Sequence, residues 1–244
     1  MKFSYVFKLA SGPELRFDFR LDPSTLAFLD SPPEPLPEWT ALEHNQCPNC
    51  PLQVASSPRC PVARNLAPII ERFKDSISYD QAEIAIRTEA REYRKTTALQ
   101  DGISAMIGIV MATSGCPILD KLRPMVRTHL PFAEHEETTY RSLSMYLLAQ
   151  FLRRRKGLAA DWDLERFVAV YDAITTVNQA FVLRLRSIQI QDASLNALVH
   201  LDCFANITQD SALRRSLPEL EELFAPYLQP DDAATPENKP PAPR

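Results

Sequence analysis

The sequence predicts an α+β fold: a small antiparallel ββ-α-ββ N-terminal sheet followed by a C-terminal helical bundle. Three observations predict it. Apolar residues alternate one-in-two near the N-terminus, the period of half-buried strands. They recur at three-and-four spacing from about residue 99 onward, the period of amphipathic helices. Between the first strands and the first helix lies a stretch too rich in proline to form either.

Phe3, Tyr5, Phe7 and Leu9 alternate with polar residues, as do Leu15, Phe17, Phe19 and Leu21 after Ser11-Gly12-Pro13. This is a hairpin with one buried face. From Asp22 to Pro61 lie nine of the 21 prolines, and such a segment is expected to run irregularly over the surface. Pro61 opens a helix to about Lys74, with Val62, Leu66, Ile69, Ile70 and Phe73 inward. Ala82, Ile84, Ile86 and Thr88 mark a third strand and Tyr93–Ala98 a weaker fourth. Residues 1–98 thus form the sheet region, carrying the Pro/Cys-rich loop 22–61.

Residues 99–228 read as helical. Ile103–Ala112 is apolar nearly all round, which predicts a buried helix. Thr138–Lys156 places Tyr140, Leu143, Leu147, Phe151 and Leu152 on an inner face and stops at Gly157. Asp161 or Asp163 caps the next helix, lined by Phe167, Val170, Tyr171, Ile174, Val177, Phe181, Leu185 and Ile188. Leu195–Ile207 and Leu217–Leu228 complete the bundle. Residues 229–244 hold five prolines and few apolar residues, so a disordered tail is expected.

A net charge of −4 gives no reason to expect a nucleic-acid or anionic-membrane partner. No signal peptide and no run of about 20 apolar residues is visible, so a cytoplasmic protein is expected. With five glycines there is no G-x-G-x-x-G and no P-loop. No E-x-x-H pair serves a di-iron bundle, and Pro51 stands where covalent haem attachment needs histidine.

The chemical signal is in the cysteines, at 47, 50, 60, 116 and 203. The first four are each followed by proline: a C-P-x-C-P, then C-P pairs at Cys60 and Cys116, with nine residues between Cys50 and Cys60 and 55 between Cys60 and Cys116. At this proline content, such a set arises by chance on the order of once in a few thousand. Proline stiffens a ligand loop and turns the chain away, and Cys-Pro pairs recur at iron–sulfur ligands. Pro61 and Pro117 each read as the first residue of a helix, which puts Cys60 and Cys116 at N-caps, where the helix dipole favours thiolate. Cys47, Cys50, Cys60 and Cys116 are therefore the predicted metal ligands. One C-x-x-C knuckle plus two isolated cysteines suits an iron–sulfur cluster better than a structural zinc site, which pairs two knuckles. His44, in H-x-x-C-x-x-C, is the substitute ligand, although a surface histidine is the commoner reading. Cys203 falls with Leu195, Val199 and Ile207 and reads as core.

Other groups carry less. His129 lies 13 residues after Cys116, about 20 Å along an unbroken helix, too far for a Cys–His pair unless Pro124 breaks it. His135 sits among Glu134, Glu136 and Glu137, which decorate a helix N-terminus. Asp192, Asn196 and His200 share one helix stripe, a solvated face or a polar pocket wall. Arg153–Lys156 matches a helix C-terminus.

QCPNCPL at 46–52, CPVARNL at 60–66, TSGCP at 113–117, LRPM at 122–125, HLPF at 129–132 and SMYLLAQ at 144–150 together resemble an uncharacterised bacterial protein family with repeated Cys-Pro motifs. The resemblance spans about residues 1 to 228. It implies a bacterial source and a recurring architecture, and assigns no catalytic residue.

Three functions are open at this point. The favoured one is a cytosolic metal-binding protein with one four-cysteine centre, in a redox, sensing or structural role. The second is a metal-free helical protein that binds a protein partner. The third is a thiol enzyme using Cys116.

Overall fold

The computed structural model describes residues 1–10, 12, 14–213 and 218–229. Strands β1 (Lys2–Leu9), β2 (Leu15–Arg20), β3 (Gln81–Thr88) and β4 (Glu92–Ala98) form one antiparallel sheet in the order β2-β1-β3-β4. Phe3 pairs with Phe19 and Tyr5 with Phe17 on one side of β1, and Tyr5 pairs with Ile86 and Phe7 with Ile84 on the other. Because side chains alternate, this register gathers all of these residues on one buried face. The opposite face carries exposed ion pairs such as Arg16–Asp18 and Arg87–Glu92.

Helices α1 (Pro61–Arg72) and α2 (Leu99–Thr113) contribute to the same core as that apolar face. Phe73, at the end of α1, meets Phe7 and Phe17 at ring-centroid distances of 5.1 and 5.3 Å. Helix α2 approaches so closely that a methyl at Gly102 would sit 2.5 Å from Ile84 Cδ1 and 2.7 Å from Phe7 Cε1. Glycine is required there by contact rather than by backbone angle. Further along, Gly108 of α2 faces Leu201.

The rest is helical: α3 (Arg123–Val126), α4 (His135–Arg155), α5 (Glu165–Arg186), α6 (Ala193–Leu213), α7 (Pro218–Leu223) and α8 (Ala225–Leu228). One hydrophobic core runs from the sheet through α2 into α5 and α6. Two polar ties reinforce the junction. Gln191 N donates to Lys74 O, and Asp192 accepts from both Ser78 N (2.9 Å) and Ser78 Oγ (2.8 Å). Asn196 donates to both partners of that pair. The Asp192–Asn196 stripe is thus a structural clasp rather than a solvated face, while His200 lines a cavity.

Several readings are corrected. On α4 only Leu143 of the predicted inner face is buried, whereas Tyr140, Leu147, Phe151 and Leu152 are exposed. That helix turns Thr139, Ser142, Leu143 and Gln150 inward, with Gln150 Oε1 accepting from Asp161 N at 3.0 Å and Tyr146 packed edge-on against Phe167. Cys203 is exposed, with Val199 and Ile207, because α6 turns Ala197, Leu198, Ala205 and Thr208 inward instead. The N-cap of α5 is Leu164, with φ of 63°. Asp161 serves that end from a distance, accepting from Arg166 N at 2.8 Å and from Tyr146 Oη. The loop from Asp22 to Pro61 is irregular as expected, but Leu26, Thr40, Leu42 and Cys60 in it are buried. Apart from Gln229, the predicted disordered tail lies outside the described residues, as do Ser11, Pro13 and Leu217.

Candidate metal centre

The Pro-rich loop brings three of the four predicted ligands to one place by a series of short turns. Cys50 N donates to Cys47 O at 3.0 Å, closing the C-P-N-C turn. Asn49, at its tip, donates through Nδ2 to Ala173 O on α5 at 2.9 Å. Cys60 N donates to Thr40 O at 2.8 Å, and the isolated bridge Ala41–Arg59 lies beside it. Arg59 fastens the same turn by donating to Pro37 O and Thr40 Oγ1. Cys60 is the N-cap of α1 with Pro61 following, as the sequence predicts.

Cys116 arrives from the other half, just past the end of α2. Gly115 (φ 89°) turns the chain there. Pro117 does not open a helix as expected: a turn intervenes before the short 3₁₀ segment Leu119–Leu122. The electrostatic consequence partly survives, since the backbone N–H groups of Leu119 and Ile118 favour the Cys116 thiolate. Burial outweighs them and pushes the Cys116 thiol up.

The four thiols share one neighbourhood. Burial pushes Cys47 up to about 12, and Cys60, Cys50 and Cys116 all lie within electrostatic reach and add to the rise. Cys60 and Cys50 act on Cys116 in the same way. Yet among the described residues no group of three or more His, Cys, Asp or Glu side chains stands arranged to hold a single metal ion. The thiols are gathered without being drawn in around one point.

A residue that sequence reasoning missed closes the site. Arg184 of α5 is 1% exposed. It donates through Nη1 to Trp39 O and Ala41 O, both at 2.7 Å, and through Nη2 to Leu42 O at 3.1 Å. No carboxylate pairs with it among the ion pairs of the described residues. Burial pulls its pKa down, and Cys60, Cys47 and Cys50 are the groups within reach that oppose this. The signal was present in the sequence: Arg184 falls on the stripe of Val177, Phe181 and Leu185, where an unpaired cation has no place in an ordinary core.

In number and type the four cysteines match the donor set of a four-thiolate centre, although the described residues hold no group arranged around one metal ion. Four thiolates on Zn²⁺ or on an oxidised [4Fe–4S] cluster leave a dianion, and a buried guanidinium with two backbone N–H groups offsets part of it. His44 is engaged elsewhere, its Nε2 lying 2.7 Å from Ser187 Oγ. His129 does not turn to Cys116. Its Nε2 lies 2.7 Å from Tyr5 Oη and its ring packs edge-on against Phe3.

Fold and site define an α+β protein whose cysteine-rich loop is clasped onto a helical core. The chain belongs to the family described as Domain of unknown function (DUF6901), which it matches over residues 2–225. No curated protein and no solved structure matches it. No described helix is long and apolar enough to cross a membrane.

Proposed function

We propose that this is a metal-binding protein in which Cys47, Cys50, Cys60 and Cys116 hold one centre, an iron–sulfur cluster in preference to zinc. The observation that carries the reading is Arg184: a cation buried without a carboxylate, with the Cys60, Cys47 and Cys50 thiols within electrostatic reach. An unpaired buried charge costs several kcal/mol, on the order of 3–5 where one partner of a buried pair is removed. Neutral thiols supply no counter-charge, whereas a dianionic thiolate centre does. Burial raises the Cys47 and Cys116 thiols and so disfavours their thiolates, and a bound metal would have to ionise them against that cost.

The preference for the cluster rests on the ligand pattern, one C-x-x-C knuckle plus two isolated cysteines, where structural zinc sites pair two knuckles. The centre would serve a redox, sensing or structural role and join the loop to the end of α2.

Anaerobic purification with iron, sulfide and zinc analysis tests this. The expected result is a brown protein with acid-labile sulfide and broad absorbance near about 400 nm, lost in each of Cys47→Ser, Cys50→Ser, Cys60→Ser and Cys116→Ser. Colourless protein holding zinc would keep the ligands and change the metal. A second reading, a metal-free helical protein that binds a protein partner, is favoured by the exposed apolar residues Leu147, Leu148, Phe151 and Leu152 on α4. It takes over if reduced protein binds neither iron–sulfur nor zinc.

A further inference from the structure

Away from the cysteines, a cavity of about 570 Å³ opens between α2, α5, α6 and the start of α4. Its size is that of a small-molecule site. Ile109, Ala112, Val126, Ile174, Leu201 and Ala205 give it apolar walls. Arg141, Ser142 and Tyr171 also line it, and the three belong together. Tyr171 lies within electrostatic reach of Arg141, while Ser142 Oγ donates to Thr138 O at 2.7 Å.

Arg141 is incompletely satisfied. Its Nη2 donates to Met125 O (3.0 Å) and Thr128 O (2.8 Å), but its Nε is fully buried with no partner. No carboxylate pairs with it among the ion pairs of the described residues. Tyr171 is 4% exposed, and burial pushes its phenol up to about 12, so it remains a donor at neutral pH. A half-buried cation with an unpartnered N–H, beside a phenol on one wall of a cavity, calls for an anion. The rest of the wall calls for an apolar body. The acidic residues Asp101, Glu134 and Glu136 also line the cavity, beside Lys95, His135 and His200. They disfavour a ligand carrying several negative charges.

We infer that this cavity binds a small organic acid with one carboxylate and an apolar body, the carboxylate accepting from the Arg141 guanidinium and Tyr171 Oη while the body lies along α2 and α6. The site is independent of the metal centre and stands whether or not a metal is bound.

Calorimetric titration of the full chain with octanoate and with 1-octanol tests it. Octanoate is expected to bind at one site per chain, about tenfold or more tighter than octanol, because a charge-assisted hydrogen bond distinguishes them. Arg141→Met should erase that difference. Tyr171→Phe, which keeps the ring, should weaken octanoate several-fold and leave octanol unchanged. Ala205→Phe should fill the cavity and abolish both. If Arg141→Met fails to fold, the other two variants decide. Equal binding of octanoate and octanol, no octanoate binding by folded wild-type protein, or octanoate binding untouched by Ala205→Phe would each overturn the inference.

Discussion

Arg184 and Arg141 are both held in the helical half of the chain by carbonyl oxygens, and neither is paired with a carboxylate among the described residues. Their surroundings differ. Arg184 donates to three carbonyls of the Pro-rich loop and has thiols within electrostatic reach, so its charge is spent on holding a distant segment in place. Arg141 bonds to carbonyls of the nearer 125–128 segment, keeps a donor unused, and borders an open cavity. A buried cation with all neighbours packed around it works as a fastener. One with a spare donor and space beside it has the makings of a binding site.

The strongest way to break that contrast is to remove each cation in turn. Arg184→Met removes three charge-assisted hydrogen bonds to loop carbonyls, the one to Leu42 O fully buried, and is expected to cost about 3–5 kcal/mol. The loss would be read from the urea midpoint and accompanied by loss of metal. Arg184→Lys keeps a charge but not the fork, and is expected to recover less than half of the loss. A cost below about 1 kcal/mol for Arg184→Met would remove Arg184 as the fastener.

Acid provides the second test, at His129. Burial, reinforced by the Arg141 charge, pulls its pKa down to about 3, and Tyr5 Oη occupies its Nε2. The unfolded chain takes up that proton near pH 6.5 while the folded chain refuses it until about pH 3. Stability is therefore complete above about pH 6.5 and falls as pH drops through that window. The slope approaches 1.4 kcal/mol per pH unit, or about 2 kcal/mol lost by pH 5. His129→Gln should flatten the profile between pH 7 and 5, measured by denaturant unfolding at each pH. An unchanged slope would mean that the ring is protonated in the fold.

Arg141→Met comes third, at about 1–2 kcal/mol, because it removes two hydrogen bonds, one to Met125 O, which still accepts from Thr128 N, and one to the carbonyl of exposed Thr128. It should also blunt the acid sensitivity, since the cation that depresses His129 is gone. A cost equal to that of Arg184→Met would erase the distinction between fastener and binding site.

How much of this was legible in the sequence follows from which interactions are local. Strand alternation, the Pro61 start and the buried length of α2 are properties of neighbouring residues, and all were readable. The α4 face was not. Its apolar spacing is helical, but spacing says nothing about whether another element lies opposite, and the side turned inward holds Thr139, Ser142, Leu143 and Gln150. The same limit misplaced Cys203: α6 has two partly apolar sides, and the one facing α2 and α5 holds Ala197, Leu198 and Ala205. The Cys-Pro pattern marked the thiol neighbourhood because it is written in adjacent residues. Arg184 and the cavity around Arg141 depend on contacts more than a hundred residues apart or between several helices, and only the fold assembles them.

The smallest expected effect is at Cys203, and it tests the thiol assignment by contrast. This side chain is exposed on α6 and is absent from the groups that act on Cys47 or Cys116. An exposed thiol replaced by an exposed hydroxyl loses no buried area and unpairs no partner, so Cys203→Ser should change stability by less than about 0.5 kcal/mol. Metal content should stay at the wild-type level. Cys60→Ser, at a buried position, should lose the metal and some packing together. Thermal unfolding and metal analysis of the two variants side by side separate the roles. Retained metal in Cys60→Ser with loss in Cys203→Ser would place the centre, if one forms, on the outer face of α6, and would leave Arg184 a cation with no thiolate to meet.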